Sequence, residues 1–190
     1  MASTVPNSNW QSYLCDDDDW QSKFVLICKP EQSGKTFIMI QQINKYLEEP
    51  TDGKTVVNFI FCDNSLLLTK QTSERVKKDV PPSLPHTGES YVEFSSRNDG
   101  VAERDANAVC CRITFDDIRN IICCTNGKRV SDISTIIEKL NSSPHTRGKF
   151  EFKIWLDEAD KFVKFINKTF KPLVQKNDNV QIFGLTATPD

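Results

Sequence analysis

The chain has 190 residues, 38% hydrophobic and 26% charged, enough to bury one sizeable core as a single globular unit. A formal net charge of −2 gives no chain-wide electrostatic footprint for nucleic acid, so any such contact must come from a local basic surface. Apolar spans of about 18 residues and a charged-then-apolar leader are both lacking, which argues against membrane insertion and secretion. The seven cysteines then point to a reducing compartment, cytoplasmic or nuclear, where thiols serve as small apolar residues.

Residues 1–22 read as a polar lead-in whose Asp16-Asp17-Asp18-Asp19 run forms a solvated acidic turn, and residues 23–190 as the folded domain. Phe24-Val25-Leu26-Ile27-Cys28 has the length and apolar character of a buried parallel strand. From Thr36, the residues Phe37, Ile40, Ile43 and Leu47 fall at helical spacing, and Pro50 and Gly53 close the segment. Between strand and helix lies Lys29-Pro30-Glu31-Gln32-Ser33-Gly34-Lys35-Thr36. Backbone N–H groups at a helix N-terminus favour phosphate, Lys35 reaches the terminal phosphates, and Thr36 offers a hydroxyl to Mg²⁺. An ordinary surface turn is the alternative, because Lys29 and Gln32 depart from the glycine-rich phosphate-loop pattern.

Val56–Cys62 is a second strand, followed by a turn with Asn64, Ser65, Leu67 and Gln71. The stretch 78–112, with Pro81, Pro82, Pro85, Gly88 and Gly100, is expected to be loop apart from a short strand at Tyr91–Phe94. Ile118–Cys124 is a further strand, leading into Thr125-Asn126-Gly127-Lys128-Arg129. Val130, Ile133, Ile136, Ile137 and Leu140 give an amphipathic helix from Arg129 to Leu140, which Asn141 and Pro144 end. The pairs Cys110-Cys111 and Cys123-Cys124 make poor zinc sites, since neighbours in a strand point to opposite faces and the usual spacer is missing.

Phe150–Leu156 delivers Asp157 and Glu158 to the carboxyl end of a strand, where open α/β sheets bind ligands. Asp157 suits Mg²⁺ and Glu158 suits deprotonation of an attacking water. The alternative is an acidic first turn that stabilises the dipole of a helix starting near Lys161, whose apolar stripe is Phe162, Phe165, Ile166 and Phe170. Val180–Leu185 is the last apolar run and ends in Thr186-Ala187-Thr188-Pro189.

Taken in order, the Gly34-Lys35-Thr36 loop, the Asp157-Glu158-Ala159-Asp160 box and Thr186-Ala187-Thr188-Pro189 resemble motifs I, II and III of superfamily 2 helicases and translocases. The resemblance implies an α/β, RecA-like P-loop NTPase with a mainly parallel sheet and helices on both faces, using ATP and Mg²⁺. It implies nucleotide binding along Lys29–Thr36, metal binding by Thr36 and Asp157, and catalysis by Lys35, Asp157 and Glu158. Thr186 and Thr188 would relay nucleotide state. Asn64, Ser65 and Gln71 look like motif Ia, and Thr125, Gly127 and Arg129 like motif Ib, so all six are candidate nucleic-acid contacts, with Arg129 the foremost. Gln11, with Gln21 as competitor, is the candidate adenine-reading glutamine. The family also works with a second RecA-like domain that supplies an arginine to the transferring phosphoryl group, and this chain reads as the first domain alone. The loop around Gln32-Ser33-Gly34-Lys35-Thr36 also looks like helicases of large DNA viruses. A nucleotide-gated scaffold with little catalysis, and a P-loop motor acting on protein or packaging DNA, are the competing readings.

Overall fold

The computed structural model describes residues 23–28, 34–49, 53–62, 66–81, 91–95 and 103–187. Six strands form one all-parallel sheet: β1 (Phe24–Cys28), β2 (Thr55–Cys62), β3 (Val92–Phe94), β4 (Asn120–Cys124), β5 (Phe150–Asp157) and β6 (Val180–Thr186). The helices between them are α1 (Lys35–Glu48), α2 (Leu66–Asp79), α3 (Ala106–Phe115) and α4 (Gly127–Ser142). After β5 a mixed helical run begins with a 3₁₀ turn (Ala159–Phe162) and a single α turn (Val163–Phe165). It continues through a π segment (Ile166–Phe170) into α5 (Lys171–Lys176).

Strand order across the sheet is β1-β6-β5-β2-β4-β3. The apolar runs are strands because both of their faces are covered, and the period of two divides their side chains between two cores. On one face Val57, Phe59 and Phe61 of β2 join Phe152, Ile154 and Leu156 of β5 beneath α3, α4 and the run 159–176. On the other, Ile60 and Cys62 join Trp155, Phe183 and Leu185 beneath Met39, Ile40 and Ile43 of α1 and Val76 of α2. Helices thus cover both faces of an α/β sheet, as the RecA-like expectation required. Among the described residues no helix is long and apolar enough to cross a membrane.

The second core contains a polar knot. Trp155 Nε1 donates to Asn58 Oδ1 at 2.9 Å, and Asn58 Nδ2 donates to Asn120 Oδ1 at 3.0 Å, which joins β5, β2 and β4 through buried side chains. Because each buried polar group has a partner, the knot fixes register without leaving an unsatisfied amide. Trp155 also stacks on Phe183 with ring centroids 4.2 Å apart.

Two segments differ from expectation. Ala106–Phe115 is a helix where loop was expected through residue 112, since Val109 and Ile113, four apart, are buried on one face. Cys110 and Cys111 consequently lie on a helix rather than on a strand. Residues Leu66–Asp79 also form a helix, which carries Gln71 into its second turn, away from the loop where it was expected.

Gly184 occupies the tightest point behind the site. A Cβ there would stand 2.9 Å from Ala159 Cβ, 3.2 Å from Leu26 Cδ1 and 3.2 Å from Phe24 Cζ. Gly184→Ala should therefore destabilise by about 1–3 kcal/mol through overpacking. Urea unfolding measures this, and an unchanged midpoint would show that the 159–162 turn yields freely.

Candidate nucleotide site

Parallel pairing brings the carboxyl ends of β1, β6 and β5 to one rim. Cys28 pairs with Thr186, and Leu185 pairs with Asp157, so β6 stands between the other two. Neighbouring strands lie about 4.8 Å apart, which sets the ends of β1 and β5 roughly 10 Å from one another.

The chain returns from β1 at Gly34, which caps α1 in the left-handed conformation, φ 81° and ψ 31°. A Cβ at Gly34 would, among the described residues, meet only Phe37 Cβ, at 3.8 Å, and the left-handed backbone favours glycine here. Among the described residues no side chain caps the first turn of α1, and that turn has no acidic residue. Its N–H groups and positive dipole end are accordingly suited to an anion.

Lys35 projects from this first turn and its Nζ lies 3.4 Å from Glu158 Oε1. Glu158 itself adopts a left-handed backbone, φ 61° and ψ 58°, at the break between β5 and the 3₁₀ turn. Such a conformation is uncommon outside glycine and costs on the order of 1–3 kcal/mol. Asp157, the last residue of β5, is partly buried, and burial pushes its carboxyl above the usual range. Glu158 adds to the rise, while Lys35, the Glu158 backbone N–H and Lys161 oppose it. Thr36 lies beside Lys35 and is half-buried.

Thr186 is buried and its Oγ1 donates to Asp160 Oδ1 at 3.2 Å. This ties the end of β6 to the acidic box, a contact the spacing of the motifs did not disclose. Lys29, Pro30, Glu31, Gln32, Ser33, Gln11, Asn64, Ser65 and Thr188 lie outside the described residues. Lys35, Thr36, Asp157, Glu158 and Thr186 are brought to a common rim.

The site thus pairs a glycine-capped helix N-terminus and a lysine with carboxylates at the end of a strand two places away. A model of the family described as "Type III restriction enzyme, res subunit" matches residues 18–190. The chain belongs to this family. It is a superfamily 2 helicase-like, RecA-type ATPase domain. The match carries the superfamily assignment; it does not carry the DEAD-box branch or a viral source. No curated protein matches the chain.

The expected motif Ib residues follow β4 at the same rim. Thr125 hydrogen-bonds the Cys62 carbonyl, joining the exits of β4 and β2. Gly127 is exposed at the start of α4, where a Cβ would come 3.7 Å from the Phe165 ring. Asn126 caps α4 by accepting from the Arg129 N–H at 2.9 Å.

Arg129 requires a correction. It was expected to touch a nucleic-acid strand, yet it is 3% exposed. Its Nη1 donates to the Arg104 carbonyl and to Asp132 Oδ2, both at 2.9 Å, and Nη2 donates to the Ser95 carbonyl at 3.1 Å. The guanidinium also lies 4.1 Å from the Phe94 ring centroid. With the fork committed to these groups, Arg129 has no face to offer a strand. The helical period carried the signal: Arg129, Ile133, Ile136 and Leu140 share the buried face of α4. Lys128, exposed and paired with Asp132 at 3.0 Å, lies on the solvent side and is the basic group of this turn that a strand can reach.

The rise in Asp157 has a definite sign. A raised carboxyl pKa means that the folded state holds a proton more readily than the unfolded chain. The associated stability is full below the unfolded carboxyl range, near pH 3.9, and is lost as pH rises through the folded value. Asp157→Asn should thus raise Tm at neutral pH, with the gap from wild type narrowing on acidification. Calorimetry without nucleotide checks this, and a lower Tm for the variant at neutral pH would count against a burial cost at Asp157.

Proposed function

We propose that this domain binds Mg-ATP between α1 and the carboxyl end of β5 and couples its hydrolysis to movement along, or unwinding of, nucleic acid. The observation that carries this reading is the 3.4 Å approach of Lys35 to Glu158 from opposite sides of β6. In the working enzyme the N–H groups opening α1 and the Lys35 ammonium would bind phosphate oxygens and offset their charge. Lys35 would exchange its carboxylate partner for phosphate, leaving Glu158 to orient a water and accept its proton.

The donor set also suits magnesium. Asp157 is a carboxylate whose ionised form is disfavoured by burial and by Glu158, so a cation beside it would relieve both effects. Among the described residues no cluster of three or more His, Cys, Asp or Glu forms a metal cage. That fits an ion held by one carboxylate, the Thr36 hydroxyl and substrate phosphates rather than by protein alone. Bound there, Mg²⁺ would supply charge neutralisation on the β- and γ-phosphate oxygens.

Thr186, bonded to Asp160, would carry the state of the acidic box to β6 and onward to Thr188. Thr125, Gly127 and Lys128 would form part of the strand-facing rim. A second RecA-like domain would complete the site with an arginine, a contribution worth about 10³–10⁵ in rate. This domain by itself should accordingly turn over slowly.

Two variants separate binding from chemistry. Glu158→Gln should keep ATP affinity within a few-fold while lowering turnover by about 10²–10⁴, the range for a lost general base. Lys35→Ala should lose Mg-ATP binding in calorimetry, on the order of a hundredfold, as expected for a charged phosphate contact. Steady-state ATPase titrated with single-stranded DNA, RNA and duplex then tests coupling. If no nucleic acid changes the rate of the protein joined to its second domain, a nucleotide-gated scaffold becomes the better account.

A further inference from the structure

The groups that engage Arg129 have a pattern. Ser95 and Arg104, whose carbonyls it binds, are the two sides of a neck at the end of edge strand β3. The neck is closed by backbone bonds, Ser95 N–H to the Glu103 carbonyl at 3.1 Å and Glu103 N–H to the Glu93 carbonyl at 2.8 Å. Phe94 and Glu103 also form a parallel bridge there. A three-residue strand whose only strand neighbour among the described residues is β4 has little of its own to fix such a neck. Arg129 adds two hydrogen bonds across it, stacks on Phe94, and is itself fixed by Asp132 one turn on. Planar geometry matters here, because one guanidinium reaches two carbonyls and a carboxylate at once, whereas an ammonium is a single point charge.

We propose that Arg129 is a positioning residue for nucleic-acid engagement: it clamps the β3 neck to the N-terminal turn of α4 and so sets the shape of the rim that a strand meets. The proposal rests on the nucleic-acid reading above, but its central claim concerns the fork and not the charge. Were Arg129 a direct phosphate contact, lysine would largely replace it. As a clamp, lysine fails almost as badly as glutamine.

Arg129→Lys and Arg129→Gln should each weaken binding of a single-stranded oligodeoxythymidine probe on the order of tenfold, the scale of one lost charged hydrogen bond. ATP affinity should be unchanged. The slope of log affinity against log salt should also stay at the wild-type value, whereas loss of a direct contact would reduce it by about 0.7. Independently, amide exchange at 92–95 and 103–105 should quicken in both variants while α1 and β5 keep their protection. Restored binding in Arg129→Lys, a reduced salt slope, or unaltered exchange at the neck would each overturn the assignment. Should the glutamine variant fail to fold, the lysine variant alone decides between fork and charge. If the wild-type protein does not bind the probe at all, the nucleic-acid reading falls, and with it the role in engagement, while exchange still reports whether Arg129 holds the neck.

Discussion

Insertion of β6 between β1 and β5 is the constraint on which the site depends. Parallel hydrogen bonding on both sides of β6 aligns Cys28 with Thr186 and Asp157 with Leu185, so three remote stretches of chain end at one level. The resulting gap of two strand spacings, roughly 10 Å, is too wide for backbone contact and suited to one long side chain. Lys35 closes it. Gly184 lets Ala159 and Leu26 approach β6 from the same side, which keeps the turn carrying Glu158 tight against the sheet. The strand order therefore does more than satisfy backbone groups, since it determines which side chains can meet.

Two ion pairs on this rim show how differently a charge can be used. Arg129 and Asp132 pair at 2.9 Å with the arginine almost wholly desolvated, and further carbonyl and aromatic partners complete its shell. A charge so placed is costly to leave unpaired, which is why it reads as architecture. Lys35 and Glu158 stand farther apart, with Glu158 substantially exposed and held on a left-handed backbone. The Lys35 side chain is largely buried, but at 3.4 Å and with its partner exposed the contact is looser than that of Arg129, which suits the proposed exchange for phosphate. Asp157 completes the contrast, because burial disfavours the charge that metal binding would use. Under the proposed function, stability and activity would pull in opposite directions at these two acidic residues.

Much of this arrangement was legible because parallel strands buried on both faces are nearly continuous apolar runs. Phe24–Cys28, Phe150–Leu156 and Val180–Leu185 announce themselves, and each is followed by the polar residues that its end delivers. α4 was legible through its period. α3 was not, because only Val109 and Ile113 mark its buried face and the preceding segment is rich in proline and glycine. α2 was obscured for a related reason: from Lys70 to Asp79 it is charged and polar apart from the buried Val76. The π segment Ile166–Phe170 also lay beyond reach, since an apolar stripe specifies a buried face but not a local change in hydrogen-bond spacing. At the site, residue type and order were sufficient to identify Lys35, Asp157 and Glu158 as one group, whereas the fate of Arg129 required counting along the helix rather than matching a turn.

Of the helix N-termini at this rim, those of α1, α3 and α4 are distinguished by their caps. Asn126 fills the head of α4 by accepting from the Arg129 N–H. Asp105 places a carboxylate at the head of α3, where it complements the dipole and repels an anion. Of the three, α1 has a glycine at the cap position, and among the described residues no side chain caps its first turn. An anion arriving at the α1 end therefore meets, among the described residues, no capping side chain, and it meets Lys35. With a whole-chain charge of only −2, long-range attraction contributes little to this choice. At the proposed phosphate site, selection would thus fall to the local geometry of the α1 N-terminus, which needs no basic excess over the chain.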